Sequence, residues 1–498
     1  MSERLKRRKL DLETPPPPKS NLESTPNIEH LPEKILLEII ANIPGLDTLW
    51  NVLTASPHCL RLFNNQALNI IEQIFASPNS ILPPKIQEII RAVILTRAGS
   101  LPFKSRDELR YQFIQYQLPL QVNKDKPCIT FGPDSLTASD IPVSILRSVV
   151  ATAHHISALT HACLAFYLTQ VYNPSIFAPQ HAQTPLPLYK IRGSNPPAGD
   201  KTPAWHQVFV GTRYTVVDAG PASWVEEMRV TRAMWLIQLV GDVRSFVFNN
   251  FSTSGWSYDD INSTFPTSTD GLAQDGTMNS AAEEVRSVLA YLETLGIQTK
   301  GTPFYKLPKL PADAKSVNPV TPLPDPCEAT WGGFGIWYNH GHKTIKLPPT
   351  PEARKRAKSP QLSESSLRGQ TRASLESQAP ALTMLRHFTE GRYGLPITNA
   401  RFDTYRPFGL AFWDKWRLHL LGLLGEGQQS ERDLDFYCFA WESLMEASWV
   451  RHIMNVLRDG VELENESEGG ASGVGFDDGG DDDDGDDGGG DDDGDDED

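Results

Sequence analysis

The densest set of metal-ligand side chains in the sequence is His154, His155 and His161. His154 and His161 are seven positions apart, so one helix face carries both, and two imidazoles at that spacing could share a metal ion. A site would need further ligands, yet Ser148 to Tyr189 contains no Asp, Glu, Lys or Arg. The three therefore read as packing histidines of a buried helix. His340-Gly341-His342 is a loop pair with no third ligand beside it, and His206 stands alone. Glu226 and Glu227 are adjacent acids whose simplest roles are helix capping and exposed ion pairing, for example Glu226 with Arg229 at i,i+3. No His is followed by Glu as in zinc proteases. There is also no Gly-x-Ser-x-Gly elbow, no Walker A loop and no Gly-x-Gly-x-x-Gly after a strand. The sequence thus assigns no catalytic residue, no cofactor and no metal. It points away from an enzyme, although catalytic groups can be scattered in sequence and gathered by folding.

The elements that would position these residues are mostly helical. Leu31, Ile35, Ile39 and Ile43 recur every fourth position, and Leu36 and Ile40 widen the apolar stripe. Pro32 falls in the first turn, and Pro44-Gly45 ends the element. Asp47 is the expected N-cap of a second helix carrying Leu49, Val52 and Leu53. Ser56-Pro57 starts a third with Leu60 and Phe63, followed by helical runs at Leu68–Phe75 and Ile86–Leu95. Further helices are expected at Asp107–Leu118, Ala222–Val247, Ala281–Leu295 and Trp441–Leu457, with Ser223 and Glu226 forming a capping box. Gln207–Val217 is the best strand candidate. Ile145–Tyr172 is long enough to span a bilayer, but its His, Ser, Thr and Gln are penalised in hydrocarbon, so a core helix and no membrane are expected.

Charge divides the chain. It holds 46 Lys and Arg against 62 Asp and Glu, and 20 of those acids lie in Asp459–Asp498, which has no Lys or Arg. Residues 1–458 keep 42 acids and a net charge of +4. That balance argues against a nucleic-acid-binding body. Ten of the 11 Trp fall between Trp205 and Trp449, which marks a folded region. The five Cys (Cys59, Cys128, Cys163, Cys327 and Cys438) are all 35 or more positions apart, which fits reduced thiols in cytosol or nucleus. A basic cluster, Arg4 to Lys9, followed by Pro15–Pro18, resembles a nuclear import signal or a solvated basic arm. The nucleus, the cytoplasm or both are the expected locations. The expected organisation is a disordered arm (1–27), a docking unit (28–77), a helical body (78–342) and a disordered basic linker (343–380). The body then resumes (381–458), and a disordered acidic tail follows (459–498).

The segment Leu31 to Phe63 resembles an F-box. The resemblance rests on Leu31-Pro32, Ile35-Leu36, Ile39-Ile40, Ile43-Pro44, Asp47-Thr48-Leu49 and Val52-Leu53. Across residues 31 to about 450 the chain is similar to a group of filamentous-fungal F-box proteins. This wider likeness rests on Leu53-Thr54-Ala55-Ser56-Pro57, Ile89-Ile90-Arg91-Ala92-Val93, Ser223 to Glu227, and Phe402 to Arg406 with Trp413-Asp414. The chain departs from the family's second half, where Thr54 to Pro57 stands in place of Val-Cys with basic residues, and Phe63 serves as the aromatic plug. The resemblance implies a mainly α fold, with a three-helix F-box followed by a larger irregular helical domain. It implies docking on a Skp-type adaptor, and through it on a cullin-based ubiquitin ligase. The adaptor-binding residues would be Leu31, Pro32, Ile35, Leu36, Ile39, Ile43, Leu49, Val52 and Leu53. The rest of the chain would select an unknown protein substrate. The alternative is a non-catalytic helical scaffold whose acidic tail binds a basic partner.

Overall fold

The computed structural model describes residues 31–114, 127–137, 140–182, 211–257, 260, 280–296, 307–311, 375, 378–389, 397, 400–424, 431–446 and 448. The basic arm, most of the expected linker and the acidic tail lie outside these residues, as do His206, His340 and His342. What is described is mainly helical.

Helix α1 (Glu33–Ala41) starts after Pro32, whose carbonyl accepts from the backbone N–H groups of Ile35 and Leu36 at 3.0 and 3.1 Å. It stops at Asn42, whose Nδ2 donates to the Glu38 carbonyl. Helix α2 (Leu46–Ala55) begins earlier than the sequence suggests. Gly45 is the N-cap, and Asp47 sits inside the first turn, where an anion suits the helix dipole without capping. The turn is tight: a Cβ on Gly45 would lie 2.6 Å from Asp47 Oδ1. Helix α3 (Pro57–Ala76) merges the two expected runs across a kink at Gln66 (φ −139°, ψ 31°). Its start follows the expected chemistry, with Pro57 in the first turn and Ser56 Oγ accepting from Cys59 N–H at 3.2 Å. Helix α4 (Pro84–Arg97) is buried along most of its length.

Helix α5 (Val143–Val171) is the one helix among the described residues that is long and apolar enough to cross a membrane. It occupies the middle of the core, with α2, α3, α4, α6 (Trp224–Asn249) and α7 (Ser280–Thr294) packed around it. Val149, Val150, Leu159 and Cys163 are fully buried there. Of its most apolar stretch, 44% is buried among these neighbours.

Helix α6 carries the expected capping box. Ser223 Oγ accepts from Glu226 N–H, and Glu226 Oε2 accepts from Ser223 N–H at 2.8 Å. The expected exposed pairing of Glu226 with Arg229 is overturned. Both are fully buried, because residues 224–239 of α6 are covered all round and its first-turn acid faces α9 (Lys415–Leu420) rather than solvent.

Of the expected strand, Gly211–Arg213 is β2. It pairs antiparallel with β1 (Gln180–Ala182) in the register Gln180↔Arg213, and β1 lies against α10 (Glu431–Glu442). Beyond β2, Tyr214 N–H still donates to the Pro179 carbonyl at 2.8 Å, and Val217 N–H donates to the Leu420 carbonyl. The expected helix at 107–118 is a π-helical turn over Glu108–Ile114, and residues 115–118 lie outside the description. The expected final helix does not start at Trp441. That residue lies near the end of α10, where its indole donates to the Leu423 carbonyl at 3.0 Å. The chain then turns, with Ser443 N–H on Phe439 O and Ser443 Oγ on Ala440 O.

Helix α8 (Pro380–Thr389) and a 3-10 turn at Phe402–Phe408 complete the C-terminal part. One apolar cluster runs from Leu36 to Met445 through these helices and turns. Trp235, Trp413 and Trp441 are among its largest fully buried side chains, as the clustering of Trp in this half of the chain predicts.

Candidate docking surface

The N-terminal helices sort the apolar residues of their sequence into two populations. On α1, residues four apart stack on one face. Leu36 and Ile40 point inward and are buried, and α1 packs on α3. Ile35 and Ile39 form a second row on the outer side and remain 42% and 43% exposed, and Leu31, just before the helix, is 37% exposed. Glu33, Lys34, Glu38 and Pro32 are exposed beside them. A surface helix normally carries polar residues on its outer face. Here two isoleucines one turn apart on that face, with Leu31 just before the helix, stand exposed.

The other expected adaptor residues have different places. Leu36, Ile43, Leu49 and Leu53 are buried core residues, and Val52 is half-buried. Leu49 and Leu53 sit on α2, which packs on α3 and α5. These residues hold the helices rather than offering contact area. Phe63, the expected plug, is fully buried. The unit is tied to the rest of the chain by polar contacts as well. Ile81 N–H donates to the Pro44 carbonyl at 2.9 Å, and the Trp224 indole of α6 donates to the Ile81 carbonyl at 3.0 Å. The α1–α2 turn is thereby linked to the start of α6 through a single residue.

Charged side chains gather inside the molecule. Glu226 receives Arg417 Nε at 2.8 Å and a terminal guanidinium nitrogen at 2.9 Å, while Asp414 N–H adds a third bond at 3.1 Å. The same guanidinium donates to Tyr172 Oη, Gly220 O and Pro221 O, and lies 5.1 Å from the Trp413 ring centroid. Glu226 holds Arg417 above its ordinary value, against the opposing effect of burial. Arg232 clamps Glu284 of α7 at 2.7 and 2.8 Å and reaches the Leu375 carbonyl. Arg229 donates to the carbonyls of Phe412 and Trp413. Arg97 joins Asp242 at 2.8 Å, and Arg91 joins Glu72 at 2.6 Å.

These pairs join elements up to 191 residues apart in sequence. Buried guanidinium–carboxylate pairs of this kind fix register and orientation, and breaking one leaves an uncompensated charge. They are the polar residues that sequence reasoning missed. Their sequence signal was faint: Arg and Glu inside otherwise apolar helical stretches such as Trp224–Asn249.

The histidine group also gains partners from the fold. His155 Nε2 lies 2.7 Å from the Pro308 carbonyl. His161 Nε2 lies 3.2 Å from Glu227 Oε1, an acid supplied by α6 that no inspection of the local sequence could find. Among the described residues, no group of three or more His, Cys, Asp or Glu could hold a metal ion. Compared with protein-family models, with curated proteins and with solved structures, the chain matches none of them.

Proposed function

We propose that this chain is an F-box-type substrate receptor. Its α1 face docks on a Skp-type adaptor, and its helical body recruits a protein target to a cullin-based ubiquitin ligase. The reading is carried by the exposed Leu31, Ile35 and Ile39 row. The row falls on the residues that resemble an F-box, and an apolar helix face of this spacing is the usual format for insertion into a groove. A few such anchors supply most of the affinity of a helix–groove contact. In this reading the protein performs no chemistry. It raises the effective concentration of a target's lysines near the loaded enzyme.

The test is co-purification of the full chain with a purified Skp-type adaptor, followed by titration calorimetry. The wild-type chain is expected to bind. Ile35→Asp with Ile39→Asp is expected to weaken binding by about a hundredfold or more, with the melting temperature kept. A wild-type chain that leaves the adaptor unbound, or a double variant that binds as well as wild type, overturns the reading.

A further inference from the structure

Helix α1 has little of its own to hold its direction. It spans 9 residues and buries only Leu36 and Ile40, while Ile35 and Ile39 face outward. It packs on α3, and its C-terminal end runs into the turn that leads to Gly45 and α2. That turn is caught by the loop between α3 and α4. Ile81 N–H donates to the Pro44 carbonyl at 2.9 Å. The Ile81 side chain lies over the next residue, where a Cβ added to Gly45 would come within 3.5 Å of Ile81 Cδ1. A proline has no N–H, so its carbonyl is the only backbone hydrogen-bonding group Pro44 can offer.

The loop that carries Ile81 is itself pinned. Gln87 of α4 is buried, and its Nε2 donates to the Phe75 carbonyl at 3.1 Å and to the Leu82 carbonyl at 2.8 Å. One side chain thus joins the end of α3 to the residue after Ile81. Ser80 N–H closes the turn between them on the Ser77 carbonyl. From the other direction, the Trp224 indole donates to the Ile81 carbonyl at 3.0 Å, across 143 positions of sequence. Trp224 is buried and opens α6 directly after the Ser223 cap, in the same turn as Glu226, whose carboxylate holds Arg417. Filling its volume would require only an aromatic ring. The indole adds a donor, and that donor is aimed at a backbone carbonyl outside its own helix. Both backbone groups of Ile81 therefore work across element boundaries, one toward α1 and one toward α6.

We propose that Trp224 is a positioning residue for the exposed face of α1, acting through Ile81 as a strut. The strut fixes the direction in which Ile35 and Ile39 are presented from the helical body. Helix α2 keeps its own anchors, since Leu46, Leu49 and Leu53 are buried. Removing the indole N–H therefore acts on α1 and its turn: it takes a donor from the Ile81 carbonyl and frees Pro44 from α6. A face left to wander must be ordered again when a partner binds, and that ordering is subtracted from the affinity. What α1 binds rests on the docking reading above; the strut does not.

The experiment compares the full wild-type chain with Trp224→Phe, which keeps a ring but loses the donor, and with Gln87→Met, which frees the loop without touching α6. In hydrogen–deuterium exchange, the Ile81 amide of the wild type is expected to be protected like the amides of α4, although it lies in a loop. Free exchange at Ile81 overturns the strut without any variant. In each variant, amides of α1 and of residues 42–46 are expected to lose roughly tenfold protection beyond any loss at α7. Either variant that keeps a cooperative melt suffices, and α1 amides that change no more than those of α7 overturn the strut. Titration with a purified Skp-type adaptor is expected to show affinity lowered by about three- to tenfold in the same variant. A loosened α1 with wild-type affinity overturns the positioning role. A wild-type chain that leaves the adaptor unbound overturns the docking reading and the positioning role with it, while the exchange measurement still decides the strut.

Discussion

At the scale of single residues, burial decides what a charge can do. Arg417 reaches Glu226, Tyr172, Gly220 and Pro221 from one guanidinium, so Arg417→Met removes a counter-charge and several donors together. The expected loss is about 3–5 kcal/mol, read as a lowered denaturation midpoint with unchanged m-value. Asp47 gives a pH-dependent case. Burial is the main cause of its raised carboxyl value, opposed by backbone hydrogen bonds in its own turn. The folded chain therefore holds this proton more tightly than the unfolded one. Its stabilising contribution is present below the ordinary Asp range and is lost as pH rises through the raised value. Asp47→Asn is accordingly expected to melt higher than wild type near neutral pH, and the two curves should converge at acid pH. Gly409 is a third case. Its φ of +63° suits glycine, and a Cβ there would approach Tyr167 Cγ to 2.7 Å. Gly409→Ala should cost about 1–3 kcal/mol in a thermal or chemical melt.

At the scale of elements, local signals and tertiary signals part company. The Ser223–Glu226 box and the Ser56-Pro57 start were readable because a cap is formed by side chains within four residues of each other. Ser223→Ala is expected to destabilise by about 1 kcal/mol in equilibrium unfolding. The row on α1 was readable for the same reason, since a period of four needs no knowledge of distant chain. What the row faces was not readable, because Leu36 and Ile39 are equally apolar and only packing separates them. The buried fate of Glu226 and Arg229 was hidden for the opposite reason. Their partners at 412–417 and 284 lie far along the chain, and an i,i+3 pairing looked sufficient. Asp47 misleads in a smaller way, because the cap lies two positions earlier, at Gly45. Hydrophobic periodicity puts Trp441 at a helix start because it does not see the Ser443 turn that closes on β1 through Gln180 N–H.

At the scale of the whole molecule, a net charge of −16 separates into a near-balanced 1–458 and a tail of 20 acids. If the tail recruits a basic partner, removing residues 459–498 should lower affinity and flatten its salt dependence in a binding titration. Unchanged affinity and salt slope would leave the helical body as the sole binding part. The described body is knit by contacts between residues far apart in sequence, and helix α6 lies at their crossing. Its residues are buried nearly all round, by α4 and α5 from earlier in the chain and by α7 and residues 412–417 from later. This has a consequence for biosynthesis. Ribosomes add about 5–20 residues per second, so roughly 10–40 s separate the emergence of Asn249 from that of Trp441. During that interval the nascent chain carries Trp235, Leu236 and Leu239, which are buried in the finished fold, before α7 and residues 412–417 have all emerged. Premature termination within that window would release a polypeptide with an unfinished interior, a ready client for chaperones and quality-control proteases.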